Sequence, residues 1–197
     1  MTDTGKVHSA VVIGCSAGGS AALEQILPAL PAGYSLPVIV VQHLHPLQTG
    51  TALTYFCKGC DLLLKDAEDK EPIQPGTVYF APANYHLMVE DEHIFSLSVD
   101  EKVNYTRPSI DVLFESASDV YGPALIGIIL SGGNQDGSAG LRTIKMRGGI
   151  AVVQDPESAE VPFMPEAAMA AVEVDYVLTP EKIGEYLCGV GKHDDEA

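Results

Sequence analysis

Apolar residues in this chain fall in short continuous blocks, and between the blocks they recur every three to four residues. Residues 9–14 and Leu36–Val41 read as buried strands, with a helix from Ala21 through Leu30, closed by Pro31 and Gly33, between them. A short helix over Thr51–Cys57 and a strand over Leu62–Lys65 continue the β-α-β-α-β alternation. The middle breaks this rhythm. Val78–Ala81, His86–Val89 and Ile94–Leu97 are close-spaced strand-like runs with Pro, Asn-Tyr and Asp-Glu turns between them, which predicts an antiparallel insertion. Pro108-Ser109 then opens a helix with Ile110, Leu113, Phe114, Ala117 and Tyr121 on one face, stopped by Gly122-Pro123. Ala124–Leu130 is the longest unbroken apolar run, as expected of a central parallel strand covered on both faces. A helix from Leu141, a strand over Gly149–Gln154, a helix over Pro165–Val172, a strand over Val174–Leu178 and a helix over Thr179–Leu187 follow, and His193–Glu196 reads as a frayed tail. The fold class is α/β: a doubly wound, mainly parallel sheet flanked by helices on both faces, Rossmann-like, with a small antiparallel β insertion.

Composition narrows the picture. With 197 residues, 46% of them hydrophobic and 19% charged, the chain supports one substantial core, and a single domain over 1–197 is expected. The N-terminus has no apolar stretch of signal-peptide length, and no run is long enough to span a membrane as a helix. A formal charge of −16 repels nucleic acid and anionic lipid, so a small-molecule or protein-facing role in the cytoplasm fits better. Cys15, Cys57, Cys60 and Cys188 are too scattered for a disulfide scaffold and are expected as free thiols.

Candidate chemistry sits just after the strands, where open parallel sheets place their ligands. Gly14-Cys15-Ser16-Ala17-Gly18-Gly19 follows the first strand and opens a helix. It can serve as a structural turn, an anion cradle or the perch of a nucleophile, and it lacks both the P-loop and the dinucleotide spacing. His43 follows the second strand, and Asp136 lies in the loop Ser131–Gly137 after the central one. A hydroxyl, an imidazole and a carboxylate on loops of one sheet edge are the parts of an acyl-transfer triad.

These segments, with Val41-Gln42-His43, Tyr79-Phe80-Ala81-Pro82, Arg107-Pro108-Ser109-Ile110-Asp111-Val112-Leu113-Phe114, Ile129-Leu130-Ser131-Gly132, Asp136-Gly137 and Met164-Pro165, resemble the catalytic domain of the chemotaxis receptor protein-glutamate methylesterases, the CheB family, over nearly the whole chain. The resemblance implies hydrolysis of glutamyl methyl esters, and deamidation of glutamines, through Ser16 as nucleophile, His43 as general base and acid, and Asp136 as the group that orients the imidazole. It implies oxyanion donors among backbone N–H groups near His43 and Gly133, with Ala17, Thr106 and Met164 as further positioning residues. No cofactor and no metal are implied. The implied partners are the cytoplasmic helices of a methyl-accepting chemotaxis receptor and, because regulatory members carry a receiver domain that is not expected here, a separate regulatory or receiver chain. The chain departs from the family at Ala17, Gly133, Thr106 and Glu166, where threonine, methionine, histidine and arginine are usual. Such changes fit altered substrate choice or a weakened enzyme. Two other readings stay open: a receptor-binding scaffold that keeps the fold without activity, and a nucleotide-binding domain built on the first glycine loop.

Weaker signals are Cys57-Lys58-Gly59-Cys60, read as inert thiols, and His43-Leu44-His45 with Asp136, a poor metal set because the triad already uses His43. His86 carries no assigned role. Arg107, Arg142, Lys145 and Arg147 are either solvated or form a basic patch that steers an acidic partner.

Overall fold

A computed structural model describes residues 8–43 and 59–191; the predicted helix over Thr51–Cys57, His45, the Cys57-Lys58 half of the cysteine pair and the tail from His193 lie outside those residues. In chain order the elements are β1 (Ala10–Cys15), α1 (Gly19–Ile26), β2 (Val38–Gln42), β3 (Leu63–Asp66), β4 (Thr77–Phe80), β5 (His86–Glu90), β6 (Ile94–Ser98), α2 (Ile110–Tyr121), β7 (Leu125–Ile129), α3 (Ser138–Met146), β8 (Ile150–Gln154), α4 (Phe163–Ala171), β9 (Tyr176–Leu178) and α5 (Pro180–Val190).

Among the described residues one seven-stranded sheet runs β3-β4-β2-β1-β7-β8-β9, parallel at every pairing, and β5 pairs with β6 as a separate antiparallel hairpin. Because β1, β2, β7 and β8 are buried at every position, their sequences are continuous apolar runs rather than alternating ones. On one face Val11, Ile13, Val38 and Val40 pack with Leu23 and Ile26 of α1 and with Ile183 and Leu187 of α5. On the other, Val12, Ile39 and Val41 pack with Leu113 and Phe114 of α2, Leu141 and Ile144 of α3, and Met164 of α4. Each fully buried Leu, Ile or Phe contributes about 1.5–3 kcal/mol, so both faces are needed to hold so flat a layer.

The expected doubly wound α/β class is what the structure shows, with one difference in the middle. Thr77–Phe80 belongs to the parallel sheet between β2 and β3, not to the antiparallel insertion, which is confined to β5 and β6. All four β4 residues are buried, whereas β5 and β6 carry half-buried or exposed positions. The hairpin lies against α2, and the Phe95 ring meets Tyr79 edge-on at 4.8 Å.

From β1 the chain winds through α1 toward β2, β4 and β3; from β7 it winds through α3 and α4 toward β8 and β9. The loops after β1 and β7 therefore part at the carboxyl edge of the sheet. That divergence is where a doubly wound fold leaves a crevice for ligands.

Candidate active site

Ser16 stands directly after β1, in that crevice. Its N–H donates to Ser131 O across the β1/β7 boundary at 2.9 Å, and on the other side His43 N donates to Cys15 O at 3.0 Å. The register ends at Cys15↔Gln42, so Ser16 and His43 are the residues that follow the last paired positions of two adjacent strands. Ser16 is half-buried, and its Oγ makes no hydrogen bond among the described residues. Gly18, in the left-handed region at φ 77, turns the chain into α1. Gly14 has a different task. A Cβ there would lie 2.3 Å from Ile110 Cγ2, so glycine lets the first turn of α2 rest on β1.

That contact brings the start of α2 to Asp136. The carboxylate is fully buried, and His43 Nε2 lies 3.0 Å from its Oδ2. Around it converge donors: Ile110 N at 2.7 Å on Oδ2, and Asn104 Nδ2 at 2.9 Å, Ser109 Oγ at 2.9 Å and Asp111 N at 3.2 Å on Oδ1. Thr106 Oγ1 is 3.2 Å from Oδ2 and 2.9 Å from Val103 O, so its one proton serves both. Burial alone would raise the carboxyl, but the hydrogen bonds from His43, Asn104, Ile110 N and Ser109 outweigh it and hold Asp136 well below the usual carboxylate range. Asp136 is therefore an anion at neutral pH. His43 Nδ1 is buried and has no hydrogen-bond partner among the described residues. An imidazole that gives its Nε2 proton to Asp136 keeps a lone pair there.

Ser109, the N-cap of α2, makes no side-chain cap of its own. Asp136 fills that role from another loop by accepting the N–H groups of Ile110 and Asp111, where the helix dipole favours a negative charge. Asp111 returns the arrangement: its Oδ1 accepts Gly140 N at 2.7 Å in the first turn of α3. Asn104 joins the two carboxylates, giving one amide proton to Asp136 and the other to Asp111 Oδ2 at 2.8 Å. Burial pushes the Asp111 carboxyl up, the Asp136 charge adds to that, and the Gly140 N–H opposes it.

The loop that carries Asn104 and Thr106 is pinned along its length. Arg107 Nη1 donates to Val99 O and Asp100 O at 2.5 and 2.7 Å, and His86, which is buried, spans Ser109 N and Glu101 O at 3.3 and 3.0 Å. Since Ser109 N donates to Nδ1, the proton of His86 sits on Nε2. His86 thus has a structural task. Ser131, also fully buried, ties the other rim: its N donates to Gln154 Oε1 at 2.9 Å, its Oγ to Ala17 O at 2.7 Å, and it accepts Val161 N at 2.9 Å.

The remaining sequence candidates divide. Ala17 and Gly133 are exposed at the mouth, and their N–H groups make no hydrogen bond among the described residues. The N–H of His43 itself is occupied by Cys15 O. Met164 is fully buried, with its N bonded to Gly132 O and its side chain filling the space a Cβ on Gly132 would take, so it supports the loop from below. Lys145 pairs with Asp175 and Arg147 with Asp119, while Arg107 serves backbone carbonyls; of the four basic residues only Arg142 is exposed with no ion pair among the described residues. Cys15 lies in the core, where burial pushes its thiol up to about 12, and Cys60 is a half-buried free thiol. Among the described residues no group of three or more His, Cys, Asp or Glu could hold a metal ion, and no helix is long and apolar enough to cross a membrane. Asn104 and Gln154 were not singled out from sequence, and Ser109, Asp111 and Ser131 only as parts of motifs.

Comparison with known proteins gives a consistent result. Residues 11–187 match the family described as CheB methylesterase. A Leptospira interrogans protein, provisionally named protein-glutamate methylesterase/protein-glutamine glutaminase, is 52% identical over 178 residues, covering 90% of this chain and 92% of its own length. The Thermotoga maritima protein-glutamate methylesterase/protein-glutamine glutaminase is 36% identical over 180 residues, covering 90% of this chain and 52% of its own, so the chain spans about half that relative's length. The crystal structure of the Thermotoga maritima CheB methylesterase catalytic domain superposes with a TM-score of 0.89 at 35% identity, covering 93% of this chain and 98% of that one.

Proposed function

This chain belongs to the CheB methylesterase family, and from that premise we propose that it is a serine esterase hydrolysing the γ-methyl esters of glutamate side chains on the cytoplasmic part of a chemotaxis receptor. The observation that carries this reading is the buried, ionised Asp136 at 3.0 Å from His43, next to Ser16 at the sheet's divergence point.

Ser16 Oγ attacks the ester carbonyl as the ring nitrogen of His43 opposite the carboxylate takes its proton. Asp136 keeps that tautomer and stabilises the imidazolium. General-base transfer of this kind contributes about 10²–10⁴ in rate. The N–H groups of Ala17 and Gly133 receive the oxyanion, each worth roughly 10²–10³, and the His43 N–H is not a donor because Cys15 O already holds it. His43 returns the proton to the departing methanol. Water then attacks the acyl-enzyme by the same route, releasing the glutamate and Ser16. An amide in place of the ester gives ammonia as leaving group, so deamidation of glutamine is the same chemistry on a poorer leaving group.

The test is Ser16→Ala. Methanol release from a methylated receptor fragment and labelling by a serine-directed phosphonate should both disappear while thermal unfolding stays where it was. A parent protein that releases no methanol and takes no label would instead favour a scaffold.

A further inference from the structure

Val103 and Thr106 exchange backbone hydrogen bonds, Val103 N to Thr106 O at 3.2 Å and Thr106 N to Val103 O at 2.9 Å, which closes a two-residue turn. Both central residues have positive φ, 51° at Asn104 and 65° at Tyr105. This is the I′ type of turn, whose second central position is normally glycine. A tyrosine there is strained. It gains nothing from the fold in return, because Tyr105 is 96% exposed.

The strained backbone at Tyr105 is nonetheless held in a fixed place. The residues on either side of it, Asn104 and Thr106, touch Asp136, and the rest of the loop is pinned by Arg107 and His86. Backbone strain kept at a rigid, exposed position beside a reactive site marks a functional contact. A glutamyl ester hangs on a short side chain, so the segment that carries it must lie across the rim of the site. The net charge of −16 opposes the approach of an acidic segment and Arg107 is committed to backbone carbonyls, so the exposed Lys102 and Arg142 at most offset that repulsion, and the contact itself falls to uncharged surface, which Tyr105 and the exposed Val103 supply here.

Resting on the esterase reading above, we infer that Tyr105 is the docking residue for the protein carrier of the ester: its ring packs on apolar side chains flanking the methylated glutamate and so selects a protein segment over a free ester. Two substrates and two variants test this. The small substrate is N-acetyl-glutamyl γ-methyl ester methylamide, with the scissile bond but no carrier; the large one is a methylated cytoplasmic receptor fragment. Tyr105→Gly should raise the melting temperature by about 2–4 °C as the turn relaxes. It should lower kcat/KM on the receptor fragment by about tenfold or more, through KM, and leave the small ester within twofold. Tyr105→Phe, which keeps the ring, should retain the receptor rate. Equal losses on both substrates would mean that Tyr105 acts only through the turn and Asp136, and no loss on the receptor would mean that it docks nothing; either overturns the inference. A parent protein inactive on both substrates defeats the esterase reading itself, and this one with it.

Discussion

Asp136→Asn should damage folding and, on the esterase reading, catalysis together. The substitution keeps the side-chain volume but removes the charge and turns one acceptor into an N–H₂ donor. Every neighbour of both oxygens is a donor: Ile110 N, Thr106 Oγ1 and His43 Nε2 on Oδ2, and Asn104 Nδ2, Ser109 Oγ and Asp111 N on Oδ1. Whichever way the amide turns, it faces a backbone N–H at the start of α2 that can neither rotate away nor reach water. One orphaned buried donor costs about 1–3 kcal/mol, and the loss of charge-assisted bonds to the other neighbours brings the expected destabilisation to about 3–5 kcal/mol. Catalysis should fall by roughly 10⁴, as when a buried carboxylate behind an imidazole is replaced by its amide in the chymotrypsin-type triad. The pH dependence has a definite sign. Because Asp136 is held below its unfolded-state range, its contribution to stability is complete above pH of about 4 and is lost as the pH falls below it. Urea unfolding at pH 7 and at pH 3, with methanol release at pH 7, reads all of this. The variant should be less stable than the parent at pH 7 and closer to it at pH 3. A variant that unfolds within 0.5 kcal/mol, roughly, of the parent at pH 7 would refute the role of Asp136 as the cap of α2.

Two further substitutions probe the supports of the site. Gly14→Ala places a methyl 2.3 Å from Ile110 Cγ2 and should lose about 1–3 kcal/mol in urea unfolding, with reduced methanol release because Ile110 N is displaced from Asp136; Gly133→Ala, whose nearest atom is Val161 Cγ1 at 3.9 Å, should be stable within about 0.5 kcal/mol. Asn104→Asp should be more destabilising at pH 7 than Asn104→Ala, since it sets a third carboxylate between Asp111 and Asp136. The introduced carboxyl has a raised pKa in the fold, so the gap between the two variants should close as the pH falls; a gap that is the same at pH 4 and pH 7 would contradict the bridge.

The strands that carry the site were legible because burial on both faces leaves an uninterrupted apolar run, as in Ala10–Cys15 and Leu125–Ile129. That property does not tell a parallel strand from its antiparallel neighbour. Thr77–Phe80 reads like the hairpin beside it, and only its pairing with β2 and β3 separates them. The strand ends gave Ser16, His43 and Asp136, and the fold brings their loops to one edge. Of what surrounds Asp136, Thr106 entered only through the family resemblance and Asn104 not at all, since both reach it across about thirty residues of chain and no local periodicity encodes such a contact. Gly14 opens a run that reads as a turn, an anion cradle or a nucleophile's perch, yet what rests against it is Ile110. The basic residues read as solvated or as a steering patch because their partners, Asp175, Asp119 and two carbonyls, are distant in sequence or carry no charge.

The exchange of caps between Asp111 and Asp136 also bears on how such a protein can drift over generations. Ser16 is fastened through its backbone, to Ser131 O and Gly19 N, so a mutation of its side chain leaves the architecture standing. Asp136 is fastened through its side chain to the first turn of α2 and to the loop that carries Asn104. On the esterase reading, a lineage relaxed from catalysis can therefore discard the serine in a single step, whereas the aspartate stays under selection for folding alone. Descendants that have fallen silent are expected to betray themselves at position 16, while their position 136 still reads as that of a working enzyme.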